Sequence, residues 1–154
     1  NIRLTMPFET QRFCLLVEDE LVITQTFQRV FENQTYALLD TATTVKEALD
    51  KVKFCVYDFV FLDMKLDGHS YAGMDVLRHL NRIVIKVRSE GRTAMDSMVV
   101  IMSSSVSLQD IMMEANALGV LCFLNKPVVF SDEYLLRIVQ RLGLPLLPRA
   151  TKDT

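Results

Sequence analysis

Four apolar runs in this chain each end on a polar group. Glu18 and Asp19 follow Phe13-Cys14-Leu15-Leu16-Val17, and Asp63 follows Phe59-Val60-Phe61-Leu62. Ser103 follows Met98-Val99-Val100-Ile101-Met102, and Lys126 closes Leu121-Cys122-Phe123-Leu124-Asn125. A charge at the end of a run destined for burial is costly unless something there needs it. Three carboxylates brought together repel one another, and a hard divalent cation relieves the repulsion. Magnesium takes oxygen ligands, one or two of them carboxylates, and keeps several waters whose places suit a phosphoryl oxygen. A carboxylate can itself attack phosphorus and become an aspartyl phosphate. That transfer needs positioning and charge stabilisation more than covalent help. An ammonium such as Lys126 supplies the counter-charge away from the metal, and the Ser103 hydroxyl can donate to a phosphoryl oxygen.

These groups meet only if the runs are parallel strands, whose carboxyl ends share one crevice. The pattern supports this. Strands are expected at about Arg12 to Val17, Tyr36 to Asp40, Phe59 to Leu62, Met98 to Met102 and Leu121 to Leu124. Between them, Leu21, Val22, Ile23, Phe27, Val30 and Phe31 recur at helical spacing. Thr44-Val45-Lys46-Glu47 has the form of a capping box opening a short helix through Val52. Met74, Leu77, Leu80, Val84 and Val87 mark a third helix of roughly four turns, ended by Ser89 to Thr93. Ser107 can cap a helix with the apolar face Leu108, Ile111, Ala115 and Leu118, stopped by Gly119. Ser131 can cap a last helix through Leu142, stopped by Gly143. Continuous apolar strands alternating with amphipathic helices imply a parallel sheet covered on both faces. The expected fold is α/β: a single-domain, flavodoxin-like, doubly wound five-stranded parallel sheet of order 2-1-3-4-5 with five helices. Residues 1–11 are expected to form an N-terminal tail, 12–144 the domain, and 145–154 a C-terminal tail or linker. The opening Asn1 in place of Met suggests excision from something longer, or processing.

The net charge of −2, from 17 Lys and Arg against 19 Asp and Glu, gives no reason to expect direct contact with nucleic acid. No apolar run approaches membrane-spanning length and no leader opens the chain. Three widely spaced cysteines, Cys14, Cys55 and Cys122, argue against a disulfide or zinc framework and fit a reducing cytoplasm.

The ordered set LLVEDE, VFLDMKLDG, VVIMSSS and FLNKP resembles the receiver domains of two-component response regulators over about residues 12 to 144. The resemblance implies that Asp63 accepts a phosphoryl group from a phosphohistidine on a sensor histidine kinase or histidine phosphotransfer protein. It implies Mg2+ held by Asp19 and Asp63, by Glu18 through water, and by the backbone carbonyl of Lys65. Ser103 and Phe123 would form a switch pair, Ser105 a modulating position, and Lys126–Pro127 a cis peptide. Such a protein catalyses its own phosphorylation and dephosphorylation and is not a conventional turnover enzyme. Phosphorylation adds about −1.5 to −2 charge at the crevice, which must bias a two-state element toward a new output surface on the last two helices and the fifth strand.

The chain departs from the family pattern in places. Asp67 stands four residues after the acceptor, where members commonly carry proline, and Gly68 to Ala72 looks like a short insertion. Asp67 could reach the metal or be a solvated loop residue; His69 reads as a loop residue. The Lys65 side chain either shields the acyl phosphate from water or is a bystander. The third helix and its loop, about 81–97, exceed the usual length by roughly ten residues. They carry Arg78, Arg82 and Lys86, with Arg88 and Arg92, as a solvated basic face or a docking surface. Met112 and Met113 cannot both pack in the core, and an exposed methionine suits a partner contact or a phosphorylation-dependent homodimer.

Three other readings compete. A haloacid-dehalogenase-type phosphatase also uses an aspartate nucleophile, but after its first strand and with a second aspartate where this chain has Lys65. A flavodoxin-like nucleotide binder would need a glycine-rich loop after the first strand, which is missing. A pseudo-receiver would keep the fold as an interaction module without being phosphorylated.

Overall fold

The structure, a computed structural model, describes residues 11–91, 98–103 and 109–148, the side chains of 84, 85, 87 and 88 excepted. Most of the N-terminal tail, the loop at 92–97, Ser105, the Ser107 cap with Leu108, and residues 149–154 lie outside the described residues. The elements alternate as β1 (Phe13–Val17), α1 (Leu21–Gln34), β2 (Leu38–Ala42), α2 (Val45–Phe54) and β3 (Phe59–Asp63). They continue as α3 (Ala72–Ser89), β4 (Met98–Ser103), α4 (Gln109–Ala117), β5 (Cys122–Asn125) and α5 (Asp132–Arg141). All strand pairs are parallel, in the order β2-β1-β3-β4-β5. This is the expected flavodoxin-like fold.

The period-two geometry of strands divides each apolar run between two cores. Leu15, Val17, Val60, Leu62 and Ile101 face one side, packed under α2, α3 and α4 through Ala48, Val52, Leu77, Ile111 and Ala115. Cys14, Leu16, Phe59, Phe61, Val100 and Met102 face the other, against Phe27 and Phe31 of α1 and Leu135 and Val139 of α5. Both faces of β3 are therefore covered, and all five of its residues are buried.

The helix boundaries follow local chemistry. Thr44 accepts from the Glu47 amide, while the Glu47 carboxylate reaches back to Thr43, one residue earlier than the simplest capping box. Ser131 caps α5 by accepting from the Tyr134 amide. α3 is longer than the expected four turns, running 18 residues before Gly91 turns the chain with φ 74°.

Two expectations are corrected. β2 starts at Leu38 rather than Tyr36, because the Tyr36 amide is taken by the Pro145 carbonyl at 3.0 Å. For the same reason residues 145–147 are no frayed end. Thr35 and Leu146 form an antiparallel bridge, the Leu147 amide donates to Gln34 at 2.9 Å, and Leu144 is buried in the α1–α5 core. Among the described residues no helix is long and apolar enough to cross a membrane. Cys14, Cys55 and Cys122 are free thiols, and burial pushes that of Cys14 up to about 12.

Candidate functional site

The carboxyl ends of β1, β3, β4 and β5 deliver their polar groups to one crevice. Parallel register does this directly: Val17 lies beside Leu62, Asp63 beside Met102, and Ser103 beside Asn125. The backbone continues the lattice past the strand ends. The Glu18 amide donates to Ala42 at 2.9 Å, Met64 to Met102 at 3.1 Å, and Lys126 to the Ser103 carbonyl at 2.6 Å. Gly73 allows α3 to start against this floor, since a Cβ there would collide with the Asp63 carbonyl oxygen and the Met64 side chain.

Carboxylate oxygens of Glu18, Asp19 and Asp63 lie within 4.8 Å of one another. Glu18 and Asp63 are buried and Asp19 is exposed at the mouth. Lys126, also buried, places Nζ 2.7 Å from Glu18 Oε2, 3.0 Å from Asp63 Oδ2 and 3.8 Å from Glu20 Oε1. The contacts of Lys126 Nζ with Glu18 and Asp63 are both ion pairs out of hydrogen-bond alignment. Main-chain donors complete the set: Glu20 on Glu18 Oε1 at 3.1 Å, Lys65 on Asp63 Oδ1 at 3.3 Å, and Asp67 on Asp19 Oδ2 at 3.1 Å.

One ammonium among these acids does not balance their charge. Burial, reinforced by the Asp63 charge, pushes the Glu18 carboxyl up to about 8 against the pull of Lys126. Burial raises Asp63 as well, opposed chiefly by the Lys126 charge. Burial acts to lower Lys126, but its contacts with Glu18 and Asp63 win and raise it. The cluster therefore has a deficit of positive charge and offers hard oxygen donors, a combination that fits Mg2+.

Ser103 ends β4 at the same edge and is buried. Phe123 on β5 is half-buried and packs into the core under α3 and α4. The Lys126–Pro127 peptide is trans, which corrects the expected cis bond. The intrinsic preference of an X–Pro bond is for trans, by about 0.5–1 kcal/mol, and Lys126 reaches both buried carboxylates from that backbone. Asp67 contributes its amide, at φ 53°, to Asp19; His69 is exposed and pairs through its backbone, with Leu66 and Ala72. Arg78 is no free member of a basic stripe, because it forks onto Glu114 of α4 at 2.6 and 2.9 Å. Arg82 and Lys86 remain exposed, as do Met112 and Met113. Three contributors had no distinct sequence signal: Glu20, masked as the third acid of one run, and the amides of Lys65 and Asp67.

A doubly wound sheet with an acidic crevice, a buried aspartate and a lysine at its floor is a site suited to handling a phosphoryl group. The match to the response regulator receiver domain family runs over residues 14–140, and this chain belongs to that family. Phosphoryl acceptance is general to the family, and its members interact with histidine kinases or phosphotransfer proteins. Solved structures agree on the fold. The phosphorylated cyanobacterial phytochrome response regulator RcpA superposes with a TM-score of 0.63 at 20% identity, covering 90% of this chain and 99% of that one. The receiver domain of sensor histidine kinase PA1611 from Pseudomonas aeruginosa, solved with magnesium in its active-site cleft, gives 0.61 at 19% identity, covering 85% and 96%. The chemotaxis regulator CheY4 of Vibrio cholerae gives 0.59 at 20% identity, covering 86% and 99%. No curated protein matches the chain significantly.

Proposed function

We propose that this receiver accepts a phosphoryl group on Asp63 from a phosphohistidine of a sensor kinase or phosphotransfer protein, and so changes its surface for a downstream partner. The observation that carries this reading is the buried Asp63 carboxylate, held by Lys126 at 3.0 Å and by the Lys65 amide at 3.3 Å, next to Glu18 and Asp19. An Asp63 oxygen forms the O–P bond as the P–N bond of the phosphohistidine breaks, and the imidazole leaves with the electron pair. Asp19 and Asp63, with Glu18 and the Lys65 carbonyl, would hold Mg2+, which when bound neutralises charge on the carboxylates and the phosphoryl oxygens. Lys126 holds Asp63 in place and supplies positive charge to the phosphoryl group from its own side. The Ser103 hydroxyl then moves toward the new phosphoryl oxygens and the Phe123 ring follows inward, altering the faces of α4, β5 and α5.

Apolar side chains rim the crevice where a donor would dock. Leu21, Val22, Val128 and Val129 are exposed, and a groove of about 270 Å3 runs along Glu20, Val22, Ile23, Lys126, Pro127, Val128 and Phe130. The protein turns over no external substrate in this reading and works in the cytoplasm, where histidine kinases present their phosphoryl groups. The exposed Lys65 side chain shields the acyl phosphate, so Lys65→Ala should shorten its lifetime; an unchanged lifetime would remove that role. Met113, exposed on α4, suits a phosphorylation-dependent dimer. Met113→Asp should abolish that dimer in light scattering, and an unchanged mass would refute it.

The test is transfer from a 32P-labelled histidine phosphotransfer domain. Label should move to the wild type with Mg2+ and stay on the donor with EDTA or with Asp63→Asn. Label that never moves, from any donor tried, would favour the pseudo-receiver.

A further inference from the structure

The segment after Asp63 is a hairpin turn with an unusual position in the site. The Leu66 and His69 backbones exchange two hydrogen bonds, at 3.2 and 2.9 Å, around Asp67 and Gly68. Both central residues have positive φ, 53° and 78°. That is the mirror-image two-residue turn for which Asp-Gly is a preferred pair. Leu66 is fully buried and anchors one end of the turn in the core. The turn's geometry aims the Asp67 amide outward, and it donates to Asp19 Oδ2 at 3.1 Å. Asp19 is exposed and has no ion pair among the described residues, so this bond is what restrains its carboxylate.

We propose that the Asp67–Gly68 turn is a positioning element for Asp19: the Asp67 amide fixes that carboxylate beside Glu18 and Asp63, preorganised for a divalent cation. The working group is the backbone N–H, and the Asp67 side chain serves only to favour the turn. The proposal rests on the metal reading given above and extends it to a segment in which this chain departs from its family. An exposed carboxylate must lose rotamer freedom to ligate a metal, and a group already held in place loses less. The same amide also satisfies one Asp19 lone pair, which leaves the other oxygen for the cation.

Titration calorimetry of Mg2+ into the unphosphorylated protein tests this without reference to phosphotransfer. Asp67→Asn keeps the amide and tolerates positive φ while removing the charge, so its affinity should stay within about twofold of the wild type. A Cβ at Gly68 meets no atom within 4 Å, but a β-branched residue cannot adopt φ 78° without strain, so Gly68→Val perturbs the turn chiefly through its backbone. It should bind Mg2+ about five- to tenfold more weakly, and Gly68→Ala, a milder variant that keeps the fold, should lie between. Gly68 variants that melt earlier yet bind Mg2+ like the wild type would overturn the proposal and reduce the turn to a structural role. Asp67→Asn binding as weakly as Gly68→Val would overturn it too, by assigning the effect to the side-chain charge. A wild type that binds no Mg2+ would sink the metal reading itself, and this role with it.

Discussion

At the scale of single residues, the crevice is a place where burial and like charge are held against each other. Burial and the Asp63 charge raise the Glu18 carboxyl to about 8, so it holds its proton more tightly in the folded protein than in the unfolded chain, where a glutamate titrates at its ordinary value of roughly 4.3. Asp63 is shifted the same way. Between those limits the folded state binds more protons than the unfolded one, so stability must fall as pH rises. We expect melting temperatures in EDTA to decline from pH 5 to pH 8, and Mg2+ to restore most of the loss at pH 8. Asp63→Asn should melt higher than the wild type by a few degrees in EDTA, where about 1 kcal/mol moves a domain of this size by roughly 2–8 °C. A melting temperature that is flat with pH, or lower in Asp63→Asn, would contradict this. Glu18, Asp19, Asp63, Ser103 and Lys126 were legible in the sequence because each interrupts an apolar run at its end. The Lys65 and Asp67 amides were not, since a main-chain donor has no residue type to betray it. The trans Lys126–Pro127 bond was missed because the cis expectation came from resemblance, not from anything in these residues.

At the scale of elements, each strand and helix could be placed from its apolar period, and most capping residues could be named. The misplacements share a cause: long-range pairing overrode local pattern. Tyr36 looked like strand, but its amide bonds the Pro145 carbonyl, a partner over a hundred residues away that no window of sequence contains. Pro145 and Pro148 suggested a linker from residue 145 onward, yet Leu146 bridges Thr35 and the Leu147 amide donates to Gln34, next to Leu144 in the core between α1 and α5. Leu144→Ala should therefore cost about 2–4 kcal/mol in urea unfolding, the usual range for a buried leucine. A loss under about 0.5 kcal/mol would mean that the segment is the loose tail its prolines suggest. α4 stands at the other extreme. It buries only Ile111 and Ala115 and is tied by exposed polar contacts to Arg78 of α3, through Glu114, and to Tyr71 just before α3, through Asp110. An element held so lightly is suited to shift when the crevice gains charge. Its amides should exchange with deuterium faster than those of α1; equal protection would argue that α4 is as fixed as the core helices.

At the scale of the whole molecule, the parallel sheet turns four separate sequence positions into one reactive place. The two cores hold that sheet from both sides, so Asp63 sits at the end of a strand buried on both faces. The extended α3 and its exposed Arg82 and Lys86 stand away from the chemistry, and the receiver mechanism makes no use of them. The most direct test of the account is intact mass after incubation with acetyl phosphate and Mg2+. It predicts one phosphoryl adduct on the wild type, lost on adding EDTA beforehand and absent from Asp63→Asn. An unmodified wild type, or an adduct that persists in Asp63→Asn, would contradict the claim that Asp63 is the phosphoacceptor.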